Sequence, residues 1–384
     1  MQYTGQIGIL LTILLLLLSC HGQETQQRNN YEIVWDESSL VCIAGEGAYP
    51  RLRRLDDEGL LVAFENRRGD VLICKSGDEG ATWSEPVTAF AAFEFEDAGS
   101  GESTRVNIAN PELIQLPGGE LLLAVNLRPR KGGIYPFSIA VKRSSDKGLG
   151  WSDEEVLFRA GNIFQDGCWE PSFLRLPDGT LQIYLANESP YRHTNEQEIS
   201  MLTSSDKGIT WSSEPVSVSF RKEYRDGMPV AVHNGTDIYV AVEDNFSGQF
   251  KPYIVKSSVR YPWRETVSGD SPNRYSALHH PLPDTVYAGA PYLIRTDEGL
   301  YLLSYQTTHH RTSEWEHSTM EVLVSDRPAD FRNPSHPFKV PLTREAKWGS
   351  LTDLGDGTIA AISSTNFNSD TIGVWMIKGR IERK

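Results

Sequence analysis

WEPSFLRLPDGTLQIYLANE (residues 169–188) divides at its centre. An apolar run leads into Pro177-Asp178-Gly179-Thr180, and a second apolar run, Leu181 to Ala186, leads away. Pro presets one backbone angle and Gly supplies a positive one, so the stretch reads as a β-hairpin around a tight turn. Glu170 sits awkwardly in this pattern. It places a carboxylate between Trp169 and Pro171, at the start of an apolar strand, where a charge needs a partner or a purpose.

The hairpin recurs. AYPRLRRLDDEGLLVAFENR starts at Ala48, ANPELIQLPGGELLLAVNLR at Ala109, GMPVAVHNGTDIYVAVEDN at Gly227, GAPYLIRTDEGLYLLSYQTT at Gly289 and WGSLTDLGDGTIAAISSTN at Trp348. Pro50, Pro111, Pro171, Pro229, Pro291 and Ser350, taken as equivalent, lie 61, 60, 58, 62 and 59 residues apart. A period of this length marks an array of similar supersecondary units. A second motif follows the first three hairpins: SGDEGATWS (76–84), SSDKGLGWS (144–152) and SSDKGITWS (204–212). This is the Asp-box pattern. Its Asp accepts backbone N–H groups within a turn, its Gly supplies an unusual φ, and its Trp packs inward. VKSSVRYPW at Val255 and VLVSDRPADF at Val322 read as altered copies. Six units of four strands each describe an all-β, six-bladed β-propeller over residues 31–384. The strand near Tyr31–Trp35 is expected to join the last blade and close the ring.

The 384 residues are 39% hydrophobic and 23% charged, which suits a globular chain with a large core. A formal net charge of −14 argues against a nucleic-acid partner, because phosphate binding needs a basic face. Residues 1–20 read as an export signal. Ile7–Leu18 is apolar except for Gly8 and Thr12, and is too short to span a bilayer comfortably. Leu17-Leu18-Ser19-Cys20 resembles a bacterial lipobox, which makes Cys20 the expected lipidation site, although the segment before the apolar run carries no Lys or Arg; an ordinary cleaved signal peptide is the alternative, and the chain is exported in either case. Residues 21–30 read as a polar tether. Cys42, Cys74 and Cys168 form neither a disulfide framework nor a metal motif, and no cofactor is called for. His309, His310 and His317 belong to a loop without defined ligand spacing.

In each hairpin the start of the inner strand and the end of the next emerge on one face, and the Asp-box turns emerge on the other. The first face therefore gathers Tyr49, Arg51, Asn110, Glu170, Met228, Tyr292 and Trp348 with Glu65, Asn126, Arg128, Glu188, Glu243, Asp244, Gln306 and Asn366. Loop tips are ordinarily polar, so Glu65, Asn126, Glu188 and Asn366 are read as solvated. Glu170 and Glu243 lie on adjacent blades at matching height. Two facing carboxyls, one protonated and one ionised, are what glycoside hydrolysis requires. The apolar neighbours Cys168, Trp169 and Pro171 should raise the pKa of Glu170, which suggests the acid/base, and leave Glu243 as the nucleophile. The opposite order, or a pair of structural ion pairs with Arg51 or Arg225, stays open. Tyr49, Trp169, Tyr292, Tyr305 and Trp348 are candidate sugar-stacking walls or core side chains. Arg51, Asn110, Arg225 and Gln306 are candidates for holding hydroxyls.

Asp-boxes on a six-fold repeat resemble the sialidase superfamily. WEP at Trp169, RDGMPV at Arg225, AVE at Ala241, AGAPYLIR at Ala288 and LSYQ at Leu303 resemble the motifs of glycoside hydrolase family 93. That resemblance implies a secreted, retaining exo-α-1,5-L-arabinanase that releases arabinobiose from linear arabinan. It implies the Glu of Trp-Glu-Pro and the Glu after the Gly-Met-Pro hairpin as the catalytic pair, hence Glu170 and Glu243. A sialidase would carry a tyrosine nucleophile where Trp348 stands, and an arginine before rather than after the first repeated proline. Exo-sialidase activity and non-catalytic glycan binding are the competing readings. The expected partner is an oligo- or polysaccharide, bound by a monomer whose membrane contact is a lipid at Cys20.

Overall fold

The computed structural model describes residues 31–384, so the expectations for residues 1–30, including Cys20, lie outside the described residues. Twenty-five strands and three single-turn 3-10 helices make up its regular structure. The strands form six antiparallel sheets, which are the six blades of a propeller. Blade 3 is typical: Cys168–Arg175 lies innermost, followed by Leu181–Asn187, Glu198–Ser204 and Val216–Ser219. The second strand of that blade is buried along its whole length, because each sheet is covered on both faces by its neighbours. Six apolar clusters fill the six gaps between blades, and the cluster joining blades 6 and 1 (Ile43, Leu52, Phe64, Ile362, Met376) seals the ring. Closure itself is made by Tyr31–Ala44, which pairs antiparallel with Gly373–Arg383 as the outermost strand of blade 6. Blade 2 carries an addition absent from the repeat, a fifth strand (Phe93–Glu96) paired with the extended start of its inner strand.

The Asp-boxes do structural work. Asp78 Oδ1 accepts the Ser76 hydroxyl at 2.7 Å and the Thr82 N–H at 2.9 Å, and the Gly80 N–H donates to Ser76 Oγ at 2.8 Å. Blade 3 repeats this set with Ser204, Asp206, Gly208 and Thr210. The Thr hydroxyl, then the backbone N–H, holds Asp78 and Asp206 down at about 2.

One irregularity is shared by all six inner strands. Pairing skips from Ala48↔Glu65 to Arg51↔Ala63 in blade 1, and every other blade skips at the corresponding place. Two residues there face one, which is a β-bulge. The first bulge residue has a positive φ in every blade: Tyr49 (52°), Asn110 (49°), Glu170 (59°), Met228 (51°), Ala290 (50°) and Trp348 (57°). The second is the repeated proline, which has no N–H to lose from the ladder. In blade 6 it is Gly349. The equivalence of Ser350 with the prolines is thereby corrected by one residue, since Trp348 takes the bulge conformation. A left-handed residue without glycine's freedom is strained and is often found at functional sites. Here the bulge places six side chains around the propeller axis, where Tyr49, Met228 and Ala290 pack together with Trp348 against them.

Candidate active site

The bulge ring floors a cavity of about 510 Å³, walled by Glu65, Arg128, Phe164, Trp169, Glu188, Gln197, Arg225 and Glu243 as well as Tyr49, Asn110, Glu170 and Trp348. A second cavity of about 380 Å³ adjoins it and shares Glu170, Glu243, Phe250, Trp315 and Trp348; Tyr287, Gln249 and Glu314 line its far side. The carboxylate pair thus stands where two lobes meet.

Glu170 comes from the bulge of blade 3 and Glu243 from the end of the second strand of blade 4. Each is held by a backbone N–H that the next bulge frees from the ladder. Met228 N–H donates to Glu170 Oε2 at 2.9 Å, and Ala290 N–H donates to Glu243 Oε2 at 2.7 Å. The same bracket recurs with Asn110 N–H on Glu65 Oε1 at 2.6 Å and Trp348 N–H on Gln306 Oε1 at 2.8 Å. In blade 3 the position equivalent to Glu243 is Ala186, so Glu170 takes the hydrogen bond instead. Among the described residues neither carboxylate of the pair forms an ion pair.

Burial pushes Glu170 up to about 7, against the Met228 N–H and the charges of Arg128 and Arg225. Burial, and then the neighbouring charge of Glu170, push Glu243 up to about 8. The order is the reverse of the one expected from the apolar neighbours of Glu170. The charge of Glu170 adds to burial at Glu243, whereas Arg128 and Arg225 both lower Glu170. Protonating Glu170 removes the second cause of the rise at Glu243.

Space around Glu243 is tight. A Cβ on Gly289 would lie 2.5 Å from Glu243 Oε2 and 2.5 Å from Tyr287 Oη, and a Cβ on Gly227 would lie 3.0 Å from Glu243 Oε1. Tyr287 Oη accepts from Gln306 Nε2 at 2.9 Å. Its phenol is raised well above its ordinary value by burial first and by Glu243 next.

Of the other sequence candidates, Tyr49, Asn110, Trp169, Arg225 and Trp348 line the cavity. Four do not line it. Arg51 is buried below the ring, donating to the carbonyls of Pro50 (2.9 Å) and Trp348 (3.0 Å), 3.4 Å from Glu112 and 3.9 Å from the Tyr49 ring centre. Tyr292 is buried beside it, its hydroxyl accepting from Arg53 at 2.9 Å. Gln306 spends its amide on Trp348 and Tyr287. Tyr305 likewise is buried, donating to Glu321 at 2.7 Å. Glu65 and Glu188, read as solvated, are cavity walls; burial raises Glu65 to about 7. Asn126 is fully buried and donates to the Cys168 carbonyl at 2.8 Å. Asn366 pairs with the Glu345 N–H at 2.9 Å.

The aromatic walls differ from expectation too. Trp169 stacks on Phe164 at 6.0 Å and 19°, with the Arg128 guanidinium 5.3 Å from its ring centre. Trp348 bridges Tyr49 at 6.1 Å and Trp315 at 6.3 Å. Phe164, Phe250, Tyr287 and Trp315 lie on connections between strands, outside the repeated hairpins, and the repeat does not reveal them. Among the described residues no cluster of His, Cys, Asp and Glu is arranged to hold a metal ion; the ring of His317 contacts the Thr312 hydroxyl at 2.8 Å.

No family model matches the chain, and no characterised protein sequence does. Solved structures do. A mutant of the α-L-arabinofuranosidase of Fusarium graminearum, bound to an iminosugar inhibitor, superposes with a TM-score of 0.68 at 18% identity, covering 89% of this chain and 97% of that one. The α-L-arabinanase of Penicillium chrysogenum, complexed with arabinobiose, gives 0.63 at 19% identity, over 88% and 97%. The Hadza microbial sialidase Hz136 gives 0.56 at 14% identity, over 88% and 66%. At these identities the likeness is one of fold: the chain is a sialidase-like six-bladed propeller.

Proposed function

We propose that the protein is a retaining exo-glycoside hydrolase acting on α-1,5-linked arabinan and releasing arabinobiose, with Glu170 as acid/base and Glu243 as nucleophile. One observation carries this reading: two buried carboxylates with raised proton affinity, on adjacent blades, face the junction of two cavities. A sugar chain lying across the junction presents its glycosidic oxygen to Glu170, which gives up a proton as the bond breaks. Glu243, which must be ionised while Glu170 holds the proton, attacks the anomeric carbon from the opposite side. Water then enters, Glu170 takes its proton, and the glycosyl–Glu243 ester is hydrolysed. The Tyr287 hydroxyl stands across Gly289 from Glu243, and burial and that charge keep its phenol protonated, which supports the nucleophile assignment.

The cavity's charge supports a neutral sugar. Glu65, Glu170, Glu188 and Glu243 face Arg128 and Arg225, and Arg51 is spent on Glu112 and carbonyls below the floor. Arg225 is also paired with Glu188, which leaves Arg128 as the one cavity arginine, among the described residues, without a carboxylate partner to meet a carboxylated sugar. The test is product analysis on linear α-1,5-arabinan and on a sialoside. Arabinobiose from the first alone is the expected result; sialic acid from the second would overturn it.

The exported state is part of the proposal: Cys20 carries a lipid that tethers a monomeric propeller to a bacterial membrane surface. Cys20→Ser should move the protein from the membrane to the soluble fraction of cells expressing it.

A further inference from the structure

Glu188 was set aside in the sequence as loop polarity, and it is 4% exposed. It follows the second strand of blade 3 and lines the larger cavity. Its Oε1 accepts from Arg225 Nη2. Its Oε2 is buried and has no hydrogen-bond partner among the described residues. A carboxylate oxygen removed from water without a donor is strongly disfavoured, and such atoms in folded chains call for a specific explanation. The other buried polar atoms without partners belong to Asn126, Trp151, Glu196 and Arg332, none of which lines the cavity. Among the described residues Glu188 is the one with such an acceptor that also lines the cavity, and its covered Oε2 meets a ligand as the carboxylate turns towards the cavity.

The surroundings say what the ligand offers. Arg225, already joined to Glu188, also donates to Gln197 Oε1 and, at 3.1 Å, to the Asn195 carbonyl. Its charge is among the causes that lower the proton affinity of both Glu170 and Glu243, and the charge of Glu188 is among those that raise Glu170. The pair thus borders the acid/base carboxylate. An acceptor beside a planar donor suits a neutral hydroxyl, which can give a hydrogen to the first and take one from the second. An anionic group would suit Arg225 and be repelled by Glu188.

We propose that Glu188 and Arg225 form a hydroxyl clamp that selects one ring hydroxyl of the sugar unit docked beside Glu170. The clamp rests on the glycan-binding side of the functional reading and is separable from turnover. Glu188 Oε2 takes the hydroxyl hydrogen, and Arg225 donates to the same oxygen or its neighbour. A sugar lacking that hydroxyl leaves the acceptor unsatisfied, and a site built to bond a hydroxyl rejects the analogue without it.

The experiment is calorimetric binding of arabinobiose, and of its singly deoxygenated forms, to the intact protein and to Glu188→Gln, which puts an amide donor where an acceptor stood. The wild type should bind one deoxy form about 10- to 100-fold more weakly than the parent. Glu188→Gln should bind the parent about as weakly as that form and lose the discrimination. Arg225→Lys, which keeps the charge but not the planar fork, should lose part of it, and is read if Glu188→Gln fails to fold. Unchanged affinity and discrimination in Glu188→Gln would overturn the clamp. Binding without turnover would sink the hydrolase reading and leave the clamp tested. If arabinobiose does not bind, the arabinan reading fails and other neutral disaccharides with their deoxy forms replace it; absence of binding by every neutral disaccharide would overturn the clamp as well.

Discussion

Glu65 in blade 1 and Glu243 in blade 4 occupy the same place in the repeat, and the fold treats them alike at first. Each ends a second strand, and each accepts the N–H freed by the bulge of the next blade. Burial raises both. The flanking residues separate them. Glu65 pairs across the hairpin with Ala48 and lies beside Ala109 of the next blade, whereas Glu243 pairs with Gly227 and lies beside Gly289. Charge separates them further. Glu65 has Arg128 and Arg51 nearby, while the neighbouring charge felt most by Glu243 is that of Glu170. The propeller supplies the bracket several times over. The proposed mechanism confines chemistry to the bracket where a second carboxylate arrives and where glycines make room for a phenol.

The largest expected difference between the two brackets is in turnover. Glu243→Gln should lower kcat about 10⁴-fold or more, and Glu170→Gln comparably, because each removes a group that changes bonding during the reaction. Glu65→Gln should change kcat less than about 10-fold, since it touches substrate only through hydrogen bonding. Equal losses at Glu65 and Glu243, measured on arabinan, would erase the distinction.

Next in size is the glycine. Gly289→Ala should cost about 10²-fold in kcat by driving a methyl group against Glu243 Oε2, a displacement on the ångström scale. The reciprocal change, Ala109→Gly beside Glu65, should leave kcat unaltered. A Gly289→Ala variant as active as the wild type would show that the crowding is absorbed without moving Glu243.

Tyr287→Phe should cost about 10-fold, through loss of the hydroxyl dipole near Glu243 and of the acceptor for the Gln306 amide. A loss as large as that of Glu243→Gln would instead make the phenol the nucleophile and Glu243 its base.

The smallest effect is on stability, and its sign is fixed. Burial raises Glu243 from 4.5 to about 8, so its contribution to stability is fully present below the unfolded value and is lost as pH rises through about 8. Glu243→Gln should melt close to the wild type at about pH 5 and about 2–4 °C higher at about pH 9. Glu65→Gln should show the same crossover about one unit lower, following its own rise to about 7. A pH-independent difference would mean that Glu243 ionises freely in the folded chain.

Much of this is legible in the sequence alone. The repeated hairpins and three Asp-boxes contain the six blades, and Glu170 stands out because charge in an apolar strand start is unusual. The bulge was also legible in part: a proline in an inner, paired strand belongs at a bulge. Reading it that way would have shown that side-chain parity resets there, which turns Tyr49 towards the cavity and drops Arg51 and Tyr292 into the axial packing. It would also have favoured Gly349 over Ser350 in blade 6. Glu65 and Glu188 read as solvated because polar strand ends are usually wet, and nothing local shows that a neighbouring blade covers them. Tyr287, Trp315, Phe250 and Phe164 come from connections that do not repeat, where the pattern has no register to lend.

The most direct test of the central claim follows the anomeric configuration of the product by NMR as wild type and Glu243→Gln act on linear α-1,5-arabinan. The account predicts arabinobiose that first appears as the α anomer with the wild type, and no product with Glu243→Gln. A first-formed β anomer, or wild-type turnover by Glu243→Gln, would contradict a retaining mechanism built on Glu170 and Glu243.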